Sequence, residues 1–150
     1  MKEYLTNIPE LTLKYKSGLI KKVQIKSSKD AADYLRLMFE DDTMEISESV
    51  VVVYLNRSNN SIGWFKVSQG GISGTVIDVR LVLVTALKCL ASGMIICHNH
   101  PSGNISPSDA DVKITQKLKE AGNLMSVQLL DHIILTPDGG YYSFADEGKL

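Results

Sequence analysis

The alternation of apolar and polar positions divides the chain into predicted strands and helices. Residues 48–55 are rich in β-branched side chains, and the polar run 56–60 is typical of a turn, so this region predicts a hairpin. Short apolar runs bounded by turn residues predict further strands. The predicted strands cover 48–55, 61–68, 71–75, 94–97, 127–135 and 141–144.

Three helices are predicted between these strands. They run over 28–40 with Ser27 or Ser28 as cap, from Thr75 and Asp78 to a stop at Gly93, and over 107–121 between Ser106-Pro107 and Gly122. The second helix is apolar on nearly all sides, which predicts that most of it is buried. Helices that interrupt strands without strict βαβ regularity indicate an α/β fold with a mixed sheet.

The length of 150 residues fits one domain with a single core. Alternation over 10–26, on both sides of Lys16-Ser17-Gly18, predicts a β-hairpin near the N-terminus. We therefore expect an N-terminal extension over 1–27 and one domain over 28–150.

Composition and charge exclude several classes of protein. The 16 Lys and Arg residues nearly balance the 17 Asp and Glu residues, and the net charge of -1 is unlike that of a protein that grips nucleic-acid phosphates. The longest apolar runs, such as Val50–Leu55, are too short to cross a bilayer. The first residues lack the apolar stretch of a signal peptide, so we expect a cytoplasmic protein in which Cys89 and Cys97 are reduced thiols.

The candidate chemistry lies around two of the three histidines, His98 and His100. Side chains two residues apart on an extended backbone point to the same side, so both imidazoles face one point. Ser108 and Asp111 follow in the first turns of the third predicted helix, at the i, i+3 spacing that places them on one face. Two imidazole nitrogens and a carboxylate oxygen suit Zn²⁺ and keep a fourth position for water, as in catalytic zinc sites.

Each of these residues also has a purely structural interpretation. An isolated histidine at a strand end is more often hydrogen-bonded than a ligand, but a same-face pair followed by a carboxylate favours metal binding. Asp111 alone would suit a helix N-terminus, and Ser108 alone would suit a turn. His132, within an apolar strand, is predicted to be a buried hydrogen-bonding residue rather than a ligand. Cys97 alternates with His98 and is predicted to pack in the core.

The spacing His98-x-His100-x7-Ser108-x2-Asp111 resembles the JAMM signature of MPN/JAB-domain zinc metallopeptidases and isopeptidases. The resemblance implies that the two histidines and the aspartate hold zinc, while the serine hydroxyl stabilises the tetrahedral oxyanion. In such enzymes a glutamate upstream, between the first helix and the first strand, is the general base. Glu48 matches that place in this sequence.

A wider set of residues is similar to the RadC family, which carries a historical DNA-repair label. These residues are the string His98–Gly103, Leu130–His132 and Tyr142–Ala145. The resemblance covers about residues 28–150. It implies a single MPN/JAB-like, cytidine-deaminase-like α/β domain in which a mixed β-sheet is flanked by helices.

Some features leave alternatives open. Glu45 competes with Glu48 as the base, and the plainer interpretation of Glu48 is an exposed carboxylate at a strand edge. Residues 1–27 predict a hairpin in place of the helix-hairpin-helix region of full-length RadC proteins. Val79-Arg80-Leu81 stands where RadC sequences commonly have Pro-Arg-Glu, which puts a contact behind the site or with a partner in question.

The resemblance implies a RadC-like JAMM zinc metallohydrolase that cleaves peptide or isopeptide bonds in a peptide or protein substrate. The alternative is a non-catalytic MPN-fold binding module associated with a DNA-repair or protein assembly. Direct binding of nucleic acid is suggested by the family label alone, and the charge gives it no support. No membrane association is expected, and exposed strand edges suggest a homodimer.

Overall fold

The computed structural model describes residues 21–70 and 76–150. Within them, five strands form a mixed sheet flanked by three helices, which confirms the predicted α/β fold. In chain order the elements are α1 (Ser28–Arg36), β1 (Ser49–Leu55), β2 (Ser61–Gln69), α2 (Val79–Lys88), β3 (Gly93–Asn99), α3 (Asp109–Leu124), β4 (Gln128–Leu135) and β5 (Tyr141–Ser143). The strand bounds lie close to those that the apolar runs predict.

The sheet has the strand order β2-β1-β3-β4-β5. The hairpin of β1 and β2 is antiparallel, β1 also pairs antiparallel with β3, and β5 pairs antiparallel with β4. The central strands β3 and β4 are parallel, and parallel neighbours need a crossover connection. Helix α3 provides this crossover, so its N-terminus follows the end of β3.

The two faces of the sheet have separate apolar cores. The α1 face is covered by α1 and includes Ala31, Leu35, Val51, Val53, Ile95, Cys97, Ile133 and Leu135. The α3 face is covered by α2 and α3 and includes Val50, Val52, Tyr54, Val82, Ala86, Met94, Ile96, Leu118 and Leu129. Alternate residues of β3 therefore belong to opposite cores, and Cys97 packs on the α1 face as predicted.

Helix α1 is shorter than predicted. Ser27 is its N-cap, and the Ser27 hydroxyl accepts a hydrogen bond from the backbone N–H of Asp30 at 3.1 Å. The helix ends at Arg36 rather than near residue 40. Met38 and Phe39, whose apolar side chains extended the prediction, pack against the α1 face from the turn that follows the helix. The apolar spacing at these two positions reflects burial rather than helix.

Asp78 caps helix α2 as predicted, but the prediction that this helix is mostly buried is wrong. Within it only Val82 and Ala86 are buried, whereas Leu81 and Val84 are 43% and 58% exposed. The helix also ends several residues before the predicted stop. It packs on the sheet along a single stripe, so apolar character all round the helix did not indicate burial all round.

Helix α3 begins and ends later than predicted. Its N-cap is Ser108 instead of Ser106, so Pro107 precedes the helix. Gly122, predicted to end the helix, is buried inside it. A Cβ atom at this position would collide with the carbonyl oxygen of Val127, so the glycine permits close packing of the helix on the chain that enters β4.

Two predicted segments fall outside the described residues. The N-terminal hairpin over 10–26 lies mainly within residues 1–20, and the strand over 71–75, with Thr75 as a helix start, lies between the two described parts. At the described end of the first segment, Gln24 forms an antiparallel bridge with Asn60. None of the helices in the described parts has the length and apolar character needed to span a membrane.

Candidate metal centre

The three candidate ligands come together at one end of the sheet. His98 is the second-to-last residue of β3, His100 follows the strand, and Asp111 lies in the first turn of α3. Because α3 connects the end of β3 to the parallel strand β4, its N-terminus lies beside that strand end. The backbone N–H of His100 donates to the carbonyl of Leu135 at 2.9 Å, which extends the strand geometry through the second histidine.

The ligand atoms converge on one point, as the sequence spacing predicts. Nε2 of His98 lies 3.0 Å from Nε2 of His100 and 3.3 Å from Oδ1 of Asp111. Nε2 of His100 lies 3.5 Å from Oδ2 of Asp111. The His98 side chain is 3% exposed, His100 13% and Asp111 15%, so the cluster is largely shielded from water while keeping access to one side. These three residues form a group whose geometry would hold a metal ion.

The hydrogen bonds of the two imidazoles show that the donor set fits a cation. Nδ1 of His100 faces the carbonyl oxygen of Asn104 at 2.5 Å, and a carbonyl only accepts, so this nitrogen donates. Nδ1 of His98 is hydrogen-bonded to His132 at 2.8 Å. When it donates as well, both Nε2 atoms carry lone pairs, and lone pairs 3.0 Å apart beside a carboxylate repel unless a cation lies among them.

Asp111 is oriented by the start of α3. Its Oδ2 accepts the backbone N–H of Ser108 at 2.7 Å, and the Ser108 hydroxyl accepts the N–H of Asp111 at 3.1 Å, which forms a capping box. Burial alone would raise the pKa of Asp111, but the neighbouring imidazoles of His100 and His98 outweigh it and hold this pKa far below its ordinary value. The neighbouring Asp111 carboxylate raises the pKa of His100. The carboxylate is therefore ionised and fixed in direction.

A cleft of about 670 Å³ opens beside the cluster and is lined by both Glu48 and His100. Glu48 lies immediately before β1. Because β1 pairs antiparallel with β3, the start of β1 adjoins the end of β3, and this places Glu48 at the same end of the sheet as the histidines. Glu45, the competing candidate, is exposed in the turn over 41–46.

Asn99, to which sequence reasoning gave no role, connects the Glu48 segment to the histidines. Its side chain is fully buried. The amide nitrogen donates to the carbonyls of Met44 at 2.8 Å and Ser47 at 3.0 Å, and the amide oxygen accepts the N–H of Ser49 at 2.8 Å. The residues on both sides of Glu48 are thereby fixed to the strand that carries the ligands. Strand alternation, which turns residue 99 away from its two neighbours, was the available signal.

His132 is fully buried in β4 and hydrogen-bonded, which confirms its predicted role. Its Nε2 lies 2.8 Å from Nδ1 of His98, and its Nδ1 lies 2.6 Å from the hydroxyl of Thr115. Burial lowers the pKa of His132 well below its ordinary value, so this ring is neutral. Thr115 was missed at the sequence level, where its position four residues after Asp111 on the same helical face was the one clue.

The chain is similar to a known protein family over most of its length. The RadC-like JAB domain matches residues 25–149, which include the whole cluster, Glu48 and His132. The match therefore spans most of the chain.

Curated bacterial proteins named UPF0758 protein are similar to the chain, among them those of the following three species. That of Flavobacterium johnsoniae is 45% identical over 130 residues, which are 87% of this chain and 55% of that protein. That of Porphyromonas gingivalis is 46% identical over 103 residues, 69% and 45% of the two chains. That of Aquifex aeolicus is 37% identical over 141 residues, 94% and 58% of the two chains. The chain spans about half the length of the curated relatives it matches.

Proposed function

We propose that this chain, which belongs to the RadC-like JAB domain family, is a zinc-dependent hydrolase of peptide or isopeptide bonds. The observation that carries the proposal is the convergence of Nε2 of His98, Nε2 of His100 and the carboxylate of Asp111 beside an open cleft. Two imidazoles and one carboxylate are a ligand set of catalytic zinc sites. Bound there, a zinc ion would supply Lewis-acid activation of water and of a substrate carbonyl at neutral pH.

Glu48 is the general base of the proposed reaction. Glu48 lines the same cleft as His100. A carboxylate in this place accepts a proton from the attacking water and later donates it to the leaving amine. Asn99 supports this role, because its side chain fixes the backbone on both sides of Glu48.

Ser108 is the residue that stabilises the oxyanion in the proposed reaction. Its hydroxyl oxygen accepts the N–H of Asp111, which leaves the hydroxyl proton to donate. Ser108 is exposed and lines the cleft. A hydroxyl held by the start of a helix can donate to a developing negative charge without reorganising.

The lining of the cleft supports a polypeptide substrate. The lining combines polar side chains, those of Ser102, Asn104 and Ser106, with the apolar side chains of Val76, Pro107 and Ala110. The polar groups can hydrogen-bond with the N–H and C=O groups of an extended backbone, while the apolar groups can contact its side chains. The proposed substrate is therefore a peptide segment or an isopeptide-linked tail.

Metal analysis of the purified protein is the first test. We expect near-stoichiometric zinc in the wild type and little zinc in a His100→Ala variant, because two ligands hold the ion far more weakly than three. Equal zinc content in the two proteins, or none in the wild type, would contradict the site assignment.

The catalytic test compares Glu48→Ala with Glu45→Ala on a degenerate peptide and isopeptide library. We expect Glu48→Ala to retain zinc and to lose about 10²–10⁴-fold in kcat, the usual contribution of a general base. Glu45→Ala, a matched loss of one carboxylate from the same segment, should behave as wild type. Unchanged turnover in Glu48→Ala would remove Glu48 from the mechanism, and stoichiometric zinc without hydrolysis would favour a binding module.

A further inference from the structure

We infer that Thr115 and His132 form a positioning pair that selects the metal-binding tautomer of His98. The inference rests on the proposed metal site and concerns two residues that are hydrogen-bonded to its ligands but are not ligands themselves. Thr115 is 2% exposed and His132 is fully buried, on α3 and β4 respectively. Neither belongs to the ligand cluster, and both lie in a continuous chain of hydrogen bonds that reaches it.

The donors and acceptors in this series of hydrogen bonds follow from the backbone carbonyl of Asp111 at its end. The Thr115 hydroxyl lies 2.6 Å from the backbone oxygen of Asp111, which can only accept, so the single hydroxyl proton is committed there. At 2.6 Å from the same hydroxyl, Nδ1 of His132 must then donate. A neutral imidazole that donates through Nδ1 accepts through Nε2.

The tautomer of His132 determines the tautomer of His98. With Nε2 of His132 as an acceptor 2.8 Å away, Nδ1 of His98 carries the proton. Nε2 of His98 is therefore left with its lone pair, and this is the atom that converges with His100 and Asp111. The chain of hydrogen bonds thus presents to the cluster the form of His98 that can bind a metal.

The His132 ring has little freedom to adopt another arrangement. Phe144 stacks on it with ring centroids 4.8 Å apart and an angle of 9° between the planes. The backbone N–H of His132 donates to Oδ1 of Asp131 at 2.7 Å, which holds this part of β4. The ring is fixed by packing, and Thr115 fixes which of its nitrogens carries the proton.

Without the Thr115 hydroxyl, the proton of His132 would no longer be fixed to Nδ1. His132 would then lack an acceptor for Nδ1–H, and its other tautomer would donate from Nε2 to Nδ1 of His98. That exchange moves the His98 proton onto Nε2, where it blocks the metal. Because the hydroxyl also bonds to the backbone of Asp111, the pair joins two of the three ligands through residues that touch neither the ion nor a substrate.

The test uses the full chain and two measurements, zinc affinity by chelator competition and the His98 tautomer by long-range ¹H–¹⁵N NMR of the metal-free protein. We expect Thr115→Val to bind zinc about 10–100-fold more weakly, the usual cost of losing a partner behind a ligand, and to lose the pure Nδ1–H form of His98. Thr115→Ser restores the hydroxyl and should restore both. His132→Leu should weaken zinc binding by a similar factor.

Thr136→Val is the matched control. Thr136 is equally buried, but its hydroxyl donates to Asp138, so zinc affinity should equal that of the wild type. Wild-type affinity in both Thr115→Val and His132→Leu would overturn the inference. Absence of zinc binding by the wild type would instead overturn the proposed function, and the NMR comparison would still decide whether Thr115 sets the tautomer.

Discussion

The two faces of the sheet are built from alternate residues of the same strands, yet they differ in chemistry. Cys97 and His98 are neighbours in β3 and are 0% and 2% exposed. Cys97 packs among aliphatic side chains of the α1 face, whereas His98 continues through His132 to Thr115 on the other side. Burial alone does not distinguish them. The difference is that both ring nitrogens of His132 and Nδ1 of His98 have hydrogen-bond partners, which makes a polar interior tolerable on one face.

The largest expected effect separates these two neighbours directly. His98→Ala should weaken zinc binding by more than about 100-fold, the upper end for loss of a partner behind a ligand, because it removes a ligand itself. Cys97→Ala, a matched change one residue away, should leave zinc affinity unchanged. Isothermal titration with zinc checks both variants. Equal losses would mean that the faces are not independent.

The next largest effect is expected on the α1 face. A substitution there should destabilise the fold and leave zinc affinity unchanged. Leu35 is fully buried against the sheet, and Leu35→Ala should lower the free energy of unfolding by about 2–5 kcal/mol. Urea unfolding of the metal-free protein measures this loss. Zinc affinity of the folded variant should match the wild type, and a large drop would show that the two cores are coupled through the sheet.

The smallest expected effect concerns the start of α3, where Asp111 belongs both to the capping box and to the candidate metal site. Ser108→Ala should cost about 1 kcal/mol of stability, because the N-cap hydroxyl is lost. Ser106→Ala is the control, since Ser106 was the predicted cap and is not the observed one. Thermal unfolding distinguishes the two, and an equal cost for both would contradict the capping geometry.

The local spacing of residues predicted the fold class and the ligand cluster well. The β-branched run before Leu55 and the pair His98 and His100 are features of adjacent residues, and strand geometry converts them into a strand and a shared direction. Ser108 and Asp111 fall within one helical turn, so their relation was also local. The prediction also needed a short connection between β3 and α3, which keeps the histidines close to Asp111.

Contacts between distant segments could not be predicted in this way. Thr115 and His132 are 17 residues apart, and their hydrogen bond depends on how α3 lies on β4. The exposure of Val84 has the same origin, because an apolar helix surface shows nothing about which side meets the sheet. Asn99 and Ser49 are 50 residues apart and meet only through the pairing of β1 with β3. Tertiary packing decided all three.

The side chain of Asn99 has a consequence for protein design. A graft of the segment from His98 to Asp111 onto another scaffold would carry the ligands and Ser108, but it would leave out the loop that Asn99 holds. The smallest transferable unit therefore also includes residues 44–49, together with the strand pairing that lets one amide reach them. A graft without that loop should bind metal and lack Glu48 beside the cleft.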